Sequence, residues 1–275
     1  MQKKKILLDA GYSRTVGSLR GMERGNHYME KNEISSLSGS LMSTKITSLL
    51  IRELKTGIYA QAERLPAEME LAAELGVSRT VIRDALGNLE NAGFIERVRG
   101  IGTVVNRNIV ELNSRLDFKL EYNDMIQGIG FTASADNIIL KEEPADENIA
   151  EKLEIDQGAR IVCCQKRMLA GTVPAIYSID CIPLELFGKV NYTALDWSQP
   201  VFDLLSHYCG LTILNSLTSV SATNATPMIR TKLEAKDRPL LLLEEVSFCK
   251  LNRPILYSLS FYTDFFHFSL LRKKF

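Results

Sequence analysis

The stretch RLPAEMELAAELGVSRTVIRDALGNLENAGFIERVRGIGTVV, residues 64–105, decides the fold. Pro66 suits a helix first turn, where its missing N–H leaves no bond unmade. The stripe Met69, Leu71, Ala72, Leu75 then runs to a stop at Gly76, which predicts a helix over about 67–75. Ser78 stands where an N-cap hydroxyl belongs. Ile82, Ala85, Leu86 and Leu89 follow it at the i, i+3, i+4, i+7 spacing of a buried helical face that ends at Gly93. Two helices separated only by a glycine–valine corner make a helix–turn–helix. FIERVRGIGTVV (94–105) alternates apolar and polar residues around Gly100 and Gly102, the pattern of a short hairpin or wing.

Upstream, Ile46, Leu49, Leu50 and Leu54 form another helical stripe closed by Gly57, giving a helix over about 44–56. Residues 1–42 lack such periodicity and collect glycine, serine and basic residues (KKK at 3–5, SSLSGS at 35–40), as a flexible extension does. The helical and hairpin pattern fills 43–107, a linker follows at 108–114, and 115–275 reads as a second domain. Strands are expected there at 133–142, 159–170, 173–182, 212–224, 239–251 and 254–263, with helices at 121–128, 146–153, 200–209 and 226–233. Tight turns between adjacent strands favour antiparallel pairing, hence an α+β domain. PAIYSIDCI (174–182) and PILYSLSFY (254–262) share P-x-x-Y-S at a spacing of 80 residues, as a duplicated half-domain facing itself across a cleft would.

Composition bounds the function. In 275 residues, 33 Lys and Arg balance 33 Asp and Glu, so a polyanion-binding surface must be local. Five cysteines form an odd set without a C-x-x-C pair, and the N-terminus has no secretory pattern, so a cytoplasmic location is expected. Apolar runs fall far short of the roughly 20 residues that cross a bilayer, so no membrane partner is expected. Three scattered histidines (His27, His207, His267) give no local ligand motif, and the common phosphate-loop and hydrolase signatures are missing. Catalysis is disfavoured, and neither a cofactor nor a metal is implied.

The helix starting at Ser78 shows Ser78, Arg79, Thr80 and Arg83 opposite its apolar stripe. Arginine can fork onto guanine O6 and N7 in a major groove, while hydroxyls and free helix N-terminal amides suit phosphate oxygens. In the wing, Arg97 and Arg99 flank Gly100 and Gly102, where the backbone can approach a phosphate or a minor-groove edge. Residues 43–107 carry 9 basic and 8 acidic groups, so the basic ones must be sorted onto one face to bind DNA.

Residues 64–105 resemble the N-terminal domain of GntR-family bacterial transcription regulators. The resemblance implies a winged helix–turn–helix in which Ser78, Arg79, Thr80 and Arg83 contact DNA from the recognition helix, and Arg99 with Gly100 forms the wing tip. Two positions depart from the family pattern. Ala67 stands where serine is usual, leaving Glu70 without a capping-box partner, and Met69 replaces a frequent arginine.

The segments KRMLAGTVPAIYSIDCIP (166–183), FDLL (202–205) and 238–272 resemble the UTRA sensor domain of HutC-type GntR regulators, whose fold is similar to chorismate lyase. That resemblance implies a small-molecule effector held in a cleft by Arg167, Tyr177, Ser178, Tyr257, Ser258 and Tyr262. Arg167 could fork onto a phosphate or carboxylate, as in a sugar phosphate, or instead pair with Asp180 or Glu245; the tyrosines could equally be core. The expected protein is a homodimeric repressor of double-stranded operator DNA controlled by that effector. The alternative is a lyase-type enzyme with an accessory DNA-binding module, for which His207 and His267 read as packing residues instead.

Overall fold

The computed structural model describes residues 39–272 apart from Asn113 and Asp237. Most of the extension read over 1–42 lies outside the described residues. Its end does not: helix α1 spans Gly39–Lys55, earlier than the sequence stripe suggests, because Met42 adds a further buried turn below Ile46, Leu50 and Leu54.

The N-terminal domain continues with β1 (Arg64–Leu65), α2 (Glu68–Leu75), α3 (Arg79–Asn91), β2 (Ile95–Val98), β3 (Gly102–Val105) and α4 (Arg107–Val110). Gly76 ends α2 in the left-handed conformation that only glycine adopts freely, and this makes the sharp corner into α3. Ser78 caps α3 by accepting from the Val81 amide at 3.3 Å. Glu70 does find a partner: with no oxygen on Ala67, only half of the capping box forms, the Ala67 N–H donating to Glu70 Oε2 at 3.0 Å. Leu71, Ile82, Leu86 and Leu89 pack with α1 in one core. The wing gains a third strand, as β1 pairs antiparallel with β3 through Leu65 and Thr103. At two residues β1 is too short for alternation to be read in the sequence.

The second domain is α+β. Its elements are α5 (Tyr122–Gly128), β4 (Ala133–Pro144), α6 (Glu147–Leu153), β5 (Arg160–Ala170), β6 (Val173–Pro183), α7 (Val201–Cys209), β7 (Asn215–Thr223), α8 (Pro227–Lys232), β8 (Leu240–Phe248) and β9 (Pro254–Tyr262). The strands form one antiparallel sheet in the order β4-β5-β6-β9-β8-β7. Adding 80 to the numbers of α5, β4, α6, β5 and β6 lands on α7, β7, α8, β8 and β9, so the P-x-x-Y-S echo marks two copies of a helix–strand–helix–hairpin unit. The copies meet along β6 and β9 within one sheet and do not face each other across a cleft.

Helices α5 and α7 cover one face of the sheet, packing on Met168, Ile176, Val162 and Leu256; α6 and α8 cover the other, against Cys163, Tyr257, Tyr177 and Phe261. Cys163 and Cys181, directly opposed on β5 and β6, are joined by a disulfide. No C-x-x-C spacing announces this pair, because strand register and not local sequence brings the two together.

Candidate functional site

Two regions carry functional chemistry. In the first, the α3 face opposite Ile82, Ala85, Leu86 and Leu89 is open, with Ser78, Arg79, Thr80 and Arg83 all exposed, as are Arg99, Gly100 and Gly102 in the wing. Gly100 and Gly102 have φ of 80° and 106°, so the wing turn needs glycine for its backbone path, while a side chain there would meet nothing within 4 Å. Arg79, Arg83 and Arg99 make no salt bridge among the described residues. Arg97 differs. Its Nε donates to Glu90 Oε2 at 2.8 Å and its amide to Glu90 Oε1 at 2.9 Å, which ties the wing to the recognition helix. Arg64, which the sequence reading passed over, supports the wing by donating to the Ile101 carbonyl at 3.3 Å.

The second region is buried. Side chains alternate along a strand, so residues two apart share a face. On the face under α5 and α7, Lys166, Ser178 and Ser260 lie in one register row, and Asp180, Ser258, Glu245 and Thr218 in the next. Lys166, Asp180 and Glu245 are each 1–2% exposed. Burying that much charge in a sheet core is costly unless each group is bonded. Asp180 accepts from Ser178 Oγ at 3.0 Å and Ser258 Oγ at 2.7 Å; Glu245 accepts from Thr218 at 2.8 Å and pairs with Lys119. Lys166 donates to the Gln199 carbonyl at 2.9 Å and contacts no carboxylate among the described residues. Tyr122 reaches Ser260 at 2.6 Å. Glu121 closes the cluster by accepting from the Phe202 amide in the first turn of α7 at 2.9 Å, and burial pushes its carboxyl up to about 7.

The effector residues named from sequence divide between the two faces. Ser178, Ser258 and Tyr262 belong to the polar face, although Tyr262 packs edge-on against Tyr122, Phe266 and Phe268. Arg167, Tyr177 and Tyr257 point the other way. Arg167 does form an ion pair, but with Asp136, at 2.7 and 2.6 Å, and not with Asp180 or Glu245, which lie across the sheet. That bond holds the Asp136 carboxyl below its ordinary range. Tyr177 is fully buried and donates to Gln165 at 3.0 Å; Tyr257 donates to Glu244 at 2.9 Å. Neighbours such as Tyr177 and Ser178 lie on opposite faces of the pleated sheet, so the six candidates do not converge on one face. The sequence reading names Asp180 and Glu245 only as partners for Arg167 and leaves Lys166 out, although Ser178-x-Asp180 and Ser258-x-Ser260 set polar residues at period two within apolar strands, a signal of this polar face. His207 and His267 are exposed instead of packed.

Two surface grooves, of about 300 and 590 Å³, occupy equivalent places in the two repeats, around 233–240 with 263–265 and around 154–160 with 183–188. Neither includes a residue of the buried cluster.

Comparison with known proteins matches residues 42–105 to the bacterial regulatory proteins of the gntR family and residues 129–264 to the UTRA domain. The chain is 25% identical over 205 residues to the HTH-type transcriptional repressor NagR of Bacillus subtilis (strain 168), covering 74% of this chain and 83% of that protein. It is 30% identical over 122 residues to a histidine utilization repressor of Pseudomonas putida, covering 42% and 46%. Its fold is similar to that of the possible transcriptional regulator YydK from Bacillus subtilis, with a TM-score of 0.63 and 22% identity, covering 86% of this chain and all of that one.

Proposed function

The chain belongs to the GntR family of bacterial transcription regulators, in the HutC-type group with a UTRA domain, and from that premise we propose how its two regions divide the work. It is a DNA-binding regulator controlled through a small-molecule domain, and the enzyme alternative finds no support among its relatives. Helix α3 enters the major groove of an operator. Arg79 and Arg83 reach base edges or phosphates, Ser78 and Thr80 take phosphate oxygens, and the Arg99–Gly100–Gly102 tip follows the backbone into the minor groove. Arg97 serves this surface indirectly, by fixing the wing angle through Glu90. The observation that carries the reading is the contrast between Arg97 and the exposed Arg79, Arg83 and Arg99, which have no ion pair among the described residues to surrender before meeting DNA.

The effector occupies the polar face under α5 and α7. Lys166 holds an anionic group such as a phosphate or carboxylate, while Asp180, Ser178, Ser258 and Ser260 take hydroxyl or amine donors. Arg167, Tyr177 and Tyr257 hold the opposite face together and touch no effector. The protein works in the cytoplasm as a homodimeric repressor, DNA-reading over 43–107 and sensing over 115–275, with a pseudo-palindromic operator matching its two-fold symmetry.

Selection of duplexes from a random pool tests the DNA half, and an inverted repeat is the expected product. A metabolite screen by thermal shift tests the other half. A true effector at 100 times its dissociation constant stabilises by about 2.7 kcal/mol and changes affinity for the selected duplex. Lys166→Met should abolish that response. A pool from which nothing is enriched contradicts the reading.

A further inference from the structure

The join between the two domains contains a buried guanidinium. Arg115, its side chain 3% exposed, lies over the rings of Phe94, which follows α3, and Phe118, at 5.0 and 4.4 Å from their centroids, the two rings themselves packing on each other at 5.6 Å. Its Nη1 donates to the carbonyl of Ala92, the C-cap residue of α3, at 2.8 Å; Nε donates to Asp117 Oδ1 at 3.0 Å and Nη2 to Oδ2. The backbone around it is paired with the C-terminal segment of the sensing domain: the Leu116 amide donates to the Ser269 carbonyl at 2.9 Å, and the Ser269 amide to that of Ser114 at 2.8 Å. Leu271 of that segment lies over Gly93, at φ 78°, where a β-carbon would stand 2.5 Å from it.

Taking a guanidinium out of water is costly even beside a partly exposed carboxylate, and an apolar side chain of the same volume would avoid that cost. A buried arginine at this point is therefore best explained by what it orients. A cation at a helix C-terminus is favoured by the helix dipole, and a planar fork held over two packed rings fixes direction as well as distance. Four to seven residues further on, the same segment enters the polar cluster through Lys119 on Glu245, Glu121 on the Phe202 amide and Tyr122 on Ser260.

We propose that Arg115 is a positioning residue that pins the C-terminal end of the recognition helix to the sensing domain, and that residues 114–122 form a strut carrying rearrangements of the polar cluster to that helix. Its regulatory meaning rests on the reading of the cluster as the effector site; the pin itself stands on the contacts at Ala92, Phe94 and Asp117. An effector that draws Glu245 away from Lys119, or Ser260 away from Tyr122, then pulls directly on the segment that sets the pitch of α3.

The test places nitroxide labels at Gln61→Cys and Lys189→Cys in the full chain, with Cys209→Ser, diluted with unlabelled chain, and reads their distance distribution by pulsed electron paramagnetic resonance. The wild-type background should give one narrow peak, Arg115→Met a broad one, and Asp117→Asn, which loosens the fork at an exposed residue, an intermediate width. Affinity for a duplex selected by the wild-type protein should fall about fivefold or more in Arg115→Met, with circular dichroism unchanged. Arg115→Lys, which keeps the charge without the fork, should restore folding if the methionine variant loses it, yet keep the broad distribution. Wild-type widths in Asp117→Asn and Arg115→Lys overturn the pin. If the wild-type protein selects no duplex, the function proposed above fails, and the distance measurement alone decides the role of Arg115.

Discussion

The recognition helix and the central strands of the sheet both place charged side chains on one regular element, and they treat them in opposite ways. On α3, Arg79 and Arg83 stand in solvent without ion pairs among the described residues, while the apolar stripe behind them is buried. On β5, β6 and β8, Lys166, Asp180 and Glu245 are buried and bonded. Exposed, unpaired cations suit a large polyanion that arrives with its own charge and releases counterions on binding. Buried, satisfied groups suit a small ligand that must replace each bond it breaks, which is where discrimination between similar molecules comes from.

The largest test removes what makes the first surface possible. Leu86→Ala deletes a fully buried side chain behind the arginines and should lower stability by about 2–5 kcal/mol in urea unfolding. A cost under 1 kcal/mol would mean that the α3 stripe does not organise the domain.

The next change sharpens the other side. Burial raises the Glu121 carboxyl from 4.5 to about 7, so between those values the folded state binds more protons than the unfolded one, and stability falls as pH rises. The penalty is absent below about pH 4.5 and complete above about pH 7. Glu121→Gln keeps an acceptor for the Phe202 amide without the charge. It should be more stable than wild type at pH 8 by up to about 3 kcal/mol, with the advantage shrinking toward pH 5. Thermal unfolding of both forms across that range checks it; a constant difference would place the carboxyl outside the buried cluster.

The smallest expected effect separates the two kinds of arginine on α3 and the wing. Arg97→Ala breaks a half-exposed pair with Glu90 and should cost at most about 1 kcal/mol of stability, with a loosened wing visible as faster amide exchange over β2 and β3. Undisturbed exchange would mean that Glu90 does not hold the wing.

The helix–turn–helix and wing were legible in the sequence because their signals are local: Ser78 before an apolar stripe, Gly76 at a corner, two glycines at a hairpin tip. The duplicated unit was also visible, through P-x-x-Y-S, although the way its halves meet was not. Two-residue β1 escaped because no pattern can be read in so short a strand. The six effector candidates fall on both faces of the sheet because Tyr177 and Ser178 are neighbours in sequence but point to opposite faces, and Arg167 meets Asp136, 31 residues away, through strand pairing. Cys163 and Cys181, and the Lys119–Glu245 pair, likewise depend on register that single-strand periodicity does not carry.

The most direct test of the account is Arg83→Ala, measured against both the duplex selected by the wild-type protein and a scrambled duplex at fixed salt. If Arg83 reads a base, specific binding weakens by about 1–3 kcal/mol while binding to the scrambled duplex barely changes. Equal weakening on both duplexes would reduce Arg83 to a phosphate contact, and unchanged affinity on both would contradict the assignment of α3 as the reading element.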